Sequence, residues 1–113
     1  MNYLCLVYLD EKRLDELPDE ECVAYDTAIR KSGHCMVSEA LESVQTATTV
    51  RVRDGKVSVT DGPFAEAKES LAGYLIVDVE DEARALEIAS RIVAVIEGPV
   101  EVRQVMDAPP EEY

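Results

Sequence analysis

One hundred and thirteen residues, 47% apolar and 31% charged, describe a globular chain of one domain, large enough to bury a core without disulfides or a structural metal. A formal net charge of −13 repels phosphate backbones and speaks against nucleic-acid binding. Three cysteines, Cys5, Cys22 and Cys35, show no Cys-x-x-Cys spacing, which speaks against a disulfide framework or a zinc ribbon and for reduced thiols in a cytoplasmic protein.

The chain opens on Met1-Asn2-Tyr3-Leu4-Cys5-Leu6-Val7-Tyr8-Leu9-Asp10, with no basic leader and an apolar run too short for a membrane span. Tyr3 to Leu9 is apolar at odd and even positions alike, the pattern of a central strand covered on both faces. Asp10 to Leu17 is a charged surface loop. Pro18, with Asp19, Glu20 and Glu21 behind it, starts a helix, whose inner face is Cys22, Tyr25 and Ile29 and whose end is Gly33. His34 to Ser38 reads as a short second strand.

Thr48 to Thr60 is a hairpin whose register follows from its turn. Asp54-Gly55 suits a two-residue turn that needs positive φ at both positions. That turn sets Arg53 opposite Lys56, Val52 opposite Val57 and Val50 opposite Val59, so four valines share one face. An Asp61-Gly62-Pro63-Phe64 corner follows, and Ala65 to Ser70 has room for one helical turn. Gly73 to Val79 is a second strand apolar on both faces. Asp81 to Glu97 is a helix with Ala85, Leu86, Ala89, Ile92, Val93 and Ile96 as its stripe, stopped by Gly98-Pro99. Val100 to Met106 is the last strand.

With the hairpin set aside, the order is β-α-β-β-α-β, an α+β ferredoxin-like unit with two helices on one face of an antiparallel sheet. It occupies residues 1–106, leaving 107–113 as a loosely held tail. Two helices cover one face only, so the other needs cover from elsewhere. A homodimer closing sheet on sheet supplies it.

His34 is the lone histidine, at the mouth of the second strand, and reads either as a strand-end imidazole or as a general acid–base. Asp61 reads as a turn-forming carboxylate or as the partner that orients His34. Phe64, Glu66 and Lys68 read as a solvated corner or as the rim of a ligand cleft beside His34. Cys35 directly follows His34, so the two side chains leave a strand on opposite faces and make a poor nucleophile pair. No spacing calls for a metal or a cofactor, and no glycine-rich loop cradles phosphate.

Val57-Ser-Val-Thr-Asp-Gly-Pro-Phe-Ala-Glu-Ala-Lys-Glu-Ser-Leu-Ala-Gly73 resembles the signature of the DGPF-domain, or YCII-related, proteins. Ser32-Gly33-His34, Ser38-Glu39-Ala40-Leu41, Thr46 to Arg51 and Val100-Glu101-Val102-Arg103 carry the likeness along nearly the whole chain. The resemblance implies a ferredoxin-like fold that dimerises into a sheet-on-sheet α/β barrel with a cleft. Many members have no assigned activity. Some DGPF proteins accompany extracytoplasmic-function sigma factors, which implies a regulatory module as the alternative. Certain YCII-type relatives are thought to use a His–Asp pair. Their histidine belongs to the first helix, where the nearest position here is Cys22, while His34 and Asp61 match the DGPF branch's own residues. The expectation is a cytoplasmic dimer binding a small polar molecule in a cleft near His34 and Asp61, with acid–base chemistry open to it.

Overall fold

The computed structural model of the protein describes residues 1–12, 27–28, 30–31, 33–65 and 67–107. Among the described residues six strands are formed, β1 (Asn2–Leu9), β2 (Cys35–Ala40), β3 (Thr48–Arg53), β4 (Lys56–Asp61), β5 (Ser70–Asp78) and β6 (Val100–Gln104), together with the helix α1 (Glu82–Ile96). β2, β5, β1 and β6 form one sheet in that order, and every pairing in it is antiparallel. This is an α+β arrangement compatible with the ferredoxin-like unit. Among the described residues β3 and β4 pair only with each other.

The two strands apolar on both faces take the middle of the sheet. Across β1 and β5, Tyr3 stands opposite Val77 and Cys5 opposite Leu75, and all four are buried. From α1 they meet Ala85, Ile88, Ile92 and Ile96. The helix starts at Asp81, whose carboxylate accepts from the Arg84 N–H at 2.9 Å. Its inner stripe includes Ile88, whereas Leu86 and Val93 are 49% and 40% exposed. The periodic stripe read from sequence was therefore too broad: positions 85, 88, 89, 92 and 96 stack along one narrow line, and 86 and 93 flank it.

The glycine after this helix has a different job from the one its position suggests. The left-handed residue that ends α1 is Glu97, at φ 56, with its N–H donating to Val93 O. Gly98 is needed because a Cβ there would lie 2.3 Å from the carbonyl oxygen of Tyr8. The chain passes so close because the Tyr8 N–H donates to Pro99 O at 3.0 Å, joining the end of β1 to the start of β6.

Other segments depart modestly from expectation. Ala65, Ala67, Lys68 and Glu69 are not helical, and Ser70 already belongs to β5, which is longer than its apolar core. Of the first helix, Thr27, Ala28, Arg30 and Lys31 have helical backbone and Gly33 has φ 81. Cys22, Tyr25 and the tail 108–113 lie outside the described residues.

Burial pushes the Cys5 thiol up to about 11 from 9.0, with the neighbouring Cys35 thiolate adding to the shift. The unfolded chain thus releases this proton first, and stability falls as pH climbs from about 9 towards 11. Urea titrations across that range are expected to show the decline, with a shallower slope for Cys5→Val. Gly98→Ala is expected to cost about 1–3 kcal/mol in the same assay, because the added methyl meets backbone rather than a movable side chain.

Candidate functional site

The hairpin has the register its turn demands. Asp54 and Gly55 take φ of 51 and 77, and Arg53 pairs with Lys56, Val52 with Val57 and Val50 with Val59. The ladder ends at Thr48 opposite Asp61. There the chain leaves through Gly62, at φ 104, where a side chain would be strained.

The Asp61-Gly62-Pro63-Phe64 corner is fastened to the base of β3. The Gly62 N–H donates to Ala47 O at 2.7 Å, and the Thr49 hydroxyl donates to Gly62 O at 2.8 Å. Arg51 donates to Phe64 O at 3.0 Å and holds its guanidinium 4.9 Å from the centre of the Phe64 ring.

Between this corner and the edge of the main sheet lies a cleft of about 810 Å³. Tyr8, Leu41, Val44, Phe64 and Leu71 supply its apolar walls. Glu42 and Glu69 are its acidic residues, Ser43, Thr46, Thr48, Thr49 and Ser70 add hydroxyls, and among the described residues no Lys, Arg or His lines it. The floor is braced by Ser43, whose hydroxyl accepts from the Gln45 N–H at 3.2 Å and so caps a short 3-10 turn (Val44–Thr46). A Glu11 carboxylate oxygen accepts from the Val44 N–H at 2.7 Å and the Ser43 hydroxyl at 3.1 Å.

The sequence-derived site residues separate in space. Phe64 is a wall of the cleft. Asp61 stands at the hairpin base and Lys68 between the lining residues Ala67 and Glu69, but neither forms part of the wall. Glu66 lies outside the described residues. His34 is elsewhere: its Nδ1 is 3.3 Å from Asp78 O, at the end of β5, whereas Ser70 and Leu71 at the start of β5 face the cleft. Nine residues of extended strand put roughly 25 Å between those ends. Within one chain the cleft is therefore built without His34.

Tyr8, Leu41 and Leu71 were missed as site residues. Each reads in sequence as ordinary core, and only the pairing shows otherwise. β1 and β5 slip register between Val7 and Tyr8, where Tyr8 faces Leu71 at the sheet's end. Among the described residues no three His, Cys, Asp or Glu are grouped to hold a metal ion, and no helix is long and apolar enough to cross a membrane.

Over residues 1–109 the chain matches the YCII-related domain family. It is similar to an uncharacterised protein of Rhizobium meliloti (strain 1021), at 32% identity over 96 residues, covering 79% of this chain and 77% of that protein.

Replacing Arg51 by Ala removes both ties to Phe64 and is expected to lower stability by about 1–2 kcal/mol in chemical denaturation. Arg51→Lys should recover only part of that, because an ammonium lacks the planar fork.

Proposed function

The chain belongs to the YCII-related domain family, and we propose that it is a homodimeric binding protein that holds a small polar molecule with an apolar flank in the cleft beside Phe64. One observation carries this reading: a cleft of about 810 Å³ whose walls are apolar and whose few polar groups are carboxylates and hydroxyls. That size and lining are typical of small-molecule sites. Glu42 and Glu69, with no cationic side chain in the wall among the described residues, favour a hydroxyl- or amine-bearing ligand over an anion.

Binding is the part of the expectation that the cleft supports on its own. Acid–base chemistry by His34 and Asp61 needs the His34 end of a second copy brought to the cleft, since one chain holds the two apart. The dimer rests on the main sheet's other face. Leu4 pairs with Ile76 and Leu6 with Tyr74, so these four share the face opposite Cys5 and Val77, and all are only half-buried. Among the described residues the helix that packs on the sheet is α1, against the other face.

Thermal-shift screening against small alcohols, amines and carboxylates tests the cleft. Alcohols or amines are expected to stabilise the wild type and His34→Ala alike, with about 2.7 kcal/mol gained at a hundred times Kd. Leu71→Arg, which places a long cation in the wall, should lose the response. Equal stabilisation of Leu71→Arg and wild type would place the binding site elsewhere and end this reading.

A further inference from the structure

We propose that the hairpin β3–β4 is an intersubunit arm: its valine face closes over the half-buried sheet face of a second copy, so each cleft is completed by two chains. The inference rests on the homodimer proposed above and identifies the element that joins it.

An isolated two-stranded hairpin is marginal in water. This one also turns four valines outward, with Val50, Val52, Val57 and Val59 64%, 71%, 70% and 65% exposed. They form a single face through the Val50–Val59 and Val52–Val57 pairs. A surface of that kind needs a cover.

Continuity shows where the cover comes from. Val50, from the valine face, and Tyr8, from the face of β1 that carries Leu4 and Leu6, line the same cleft. The arm and the open sheet face are therefore one apolar surface with the cleft at its fold. A body seated on the sheet meets the arm as well. Each six-residue strand extends about 20 Å, enough to cross four strands spaced about 4.8 Å apart.

Charge selects a second copy as that body. The arm carries Arg51, Arg53 and Lys56 against Asp54 and Asp61, while the whole chain has a net charge of −13. The arm is thus net +1 (three basic against two acidic residues) on a body of −14, and although its basic side chains leave the hairpin on the face opposite the valines, the long-range attraction runs arm to body where bodies alone repel. Twofold symmetry lets both arms engage at once.

Analytical ultracentrifugation of the wild type and of a Val52→Asp/Val57→Asp double variant tests the arm. The wild type is expected to dimerise, and the double variant to do so more than about tenfold more weakly with unchanged far-UV circular dichroism, because it would bury two unpaired carboxylates. A second measurement does not depend on the variant: isotope-filtered NOEs should link valine methyls of one copy to Leu4, Leu6 or Ile76 of the other. A wild-type dimer with a double variant within twofold of its affinity, or valine NOEs confined to one copy, overturns the arm and leaves the sheet-face dimer standing. A monomeric wild type overturns both.

Discussion

Two strands with apolar side chains on both faces lie side by side in the middle of the sheet, and among the described residues only one of those faces is fully buried. Tyr3, Cys5, Leu75 and Val77 point at α1 and are buried. Leu4, Leu6, Tyr74 and Ile76 point the other way and stay half-buried. Nearly every other feature follows from that imbalance. The apolar side chains of that second face are only half-buried, and the cleft lies where Tyr8 of β1 and Val50 of the hairpin come together. An antiparallel sheet tolerates water on one face only when that face is polar. Here Glu39 and the pair Glu101 and Arg103 lie towards its margins, opposite Tyr74, Leu6 and Leu4.

The cleft is a product of fastening rather than of a pocket-forming motif. Arg51, Thr49 and Ala47 tie the Gly62–Phe64 corner back onto β3. Glu11 ties the 3-10 turn beside it to the end of β1. These bonds are local in space and spread in sequence, so the walls come from four separate segments. Charge is sorted as well: basic residues gather on the outer face of the hairpin, while Glu42 and Glu69 face the cleft. Elsewhere surface charge does little; on α1, Arg84 and Arg91 both reach Glu87 at 2.9 Å, and the Arg84 bond chiefly holds that carboxyl below its ordinary range. Such exposed pairs contribute little to folding.

The hairpin's register was legible residue by residue because two independent signals agree there. The Asp54-Gly55 turn and the period-two valines allow one pairing, and a slip of one residue would reverse every side chain. The two central strands were legible from apolar runs, and α1 from its repeat and its Asp81 cap. Where a single local signal stood alone, it misled. Gly98 was taken for a helix terminator, yet Glu97 adopts the left-handed turn and Gly98 answers to the Tyr8 carbonyl. His34 and Asp61 both stand at strand ends, which carry no information about which end of a neighbour they meet, and within one chain His34 lies away from the cleft.

By itself, then, the sequence determined the strands and the helix α1, the hairpin's pairing, the family, and the fact that a second apolar face exists. Those follow from turn chemistry and periodicity, which act over a few residues. Only the tertiary structure decided that Tyr8, Leu41, Phe64 and Leu71 meet around one cleft and that His34 lies at the other end of β5. Antiparallel pairing between strands more than sixty residues apart in the chain sets those distances. The register slip between Val7 and Tyr8 belongs to that long-range pairing, and no short-range pattern encodes it.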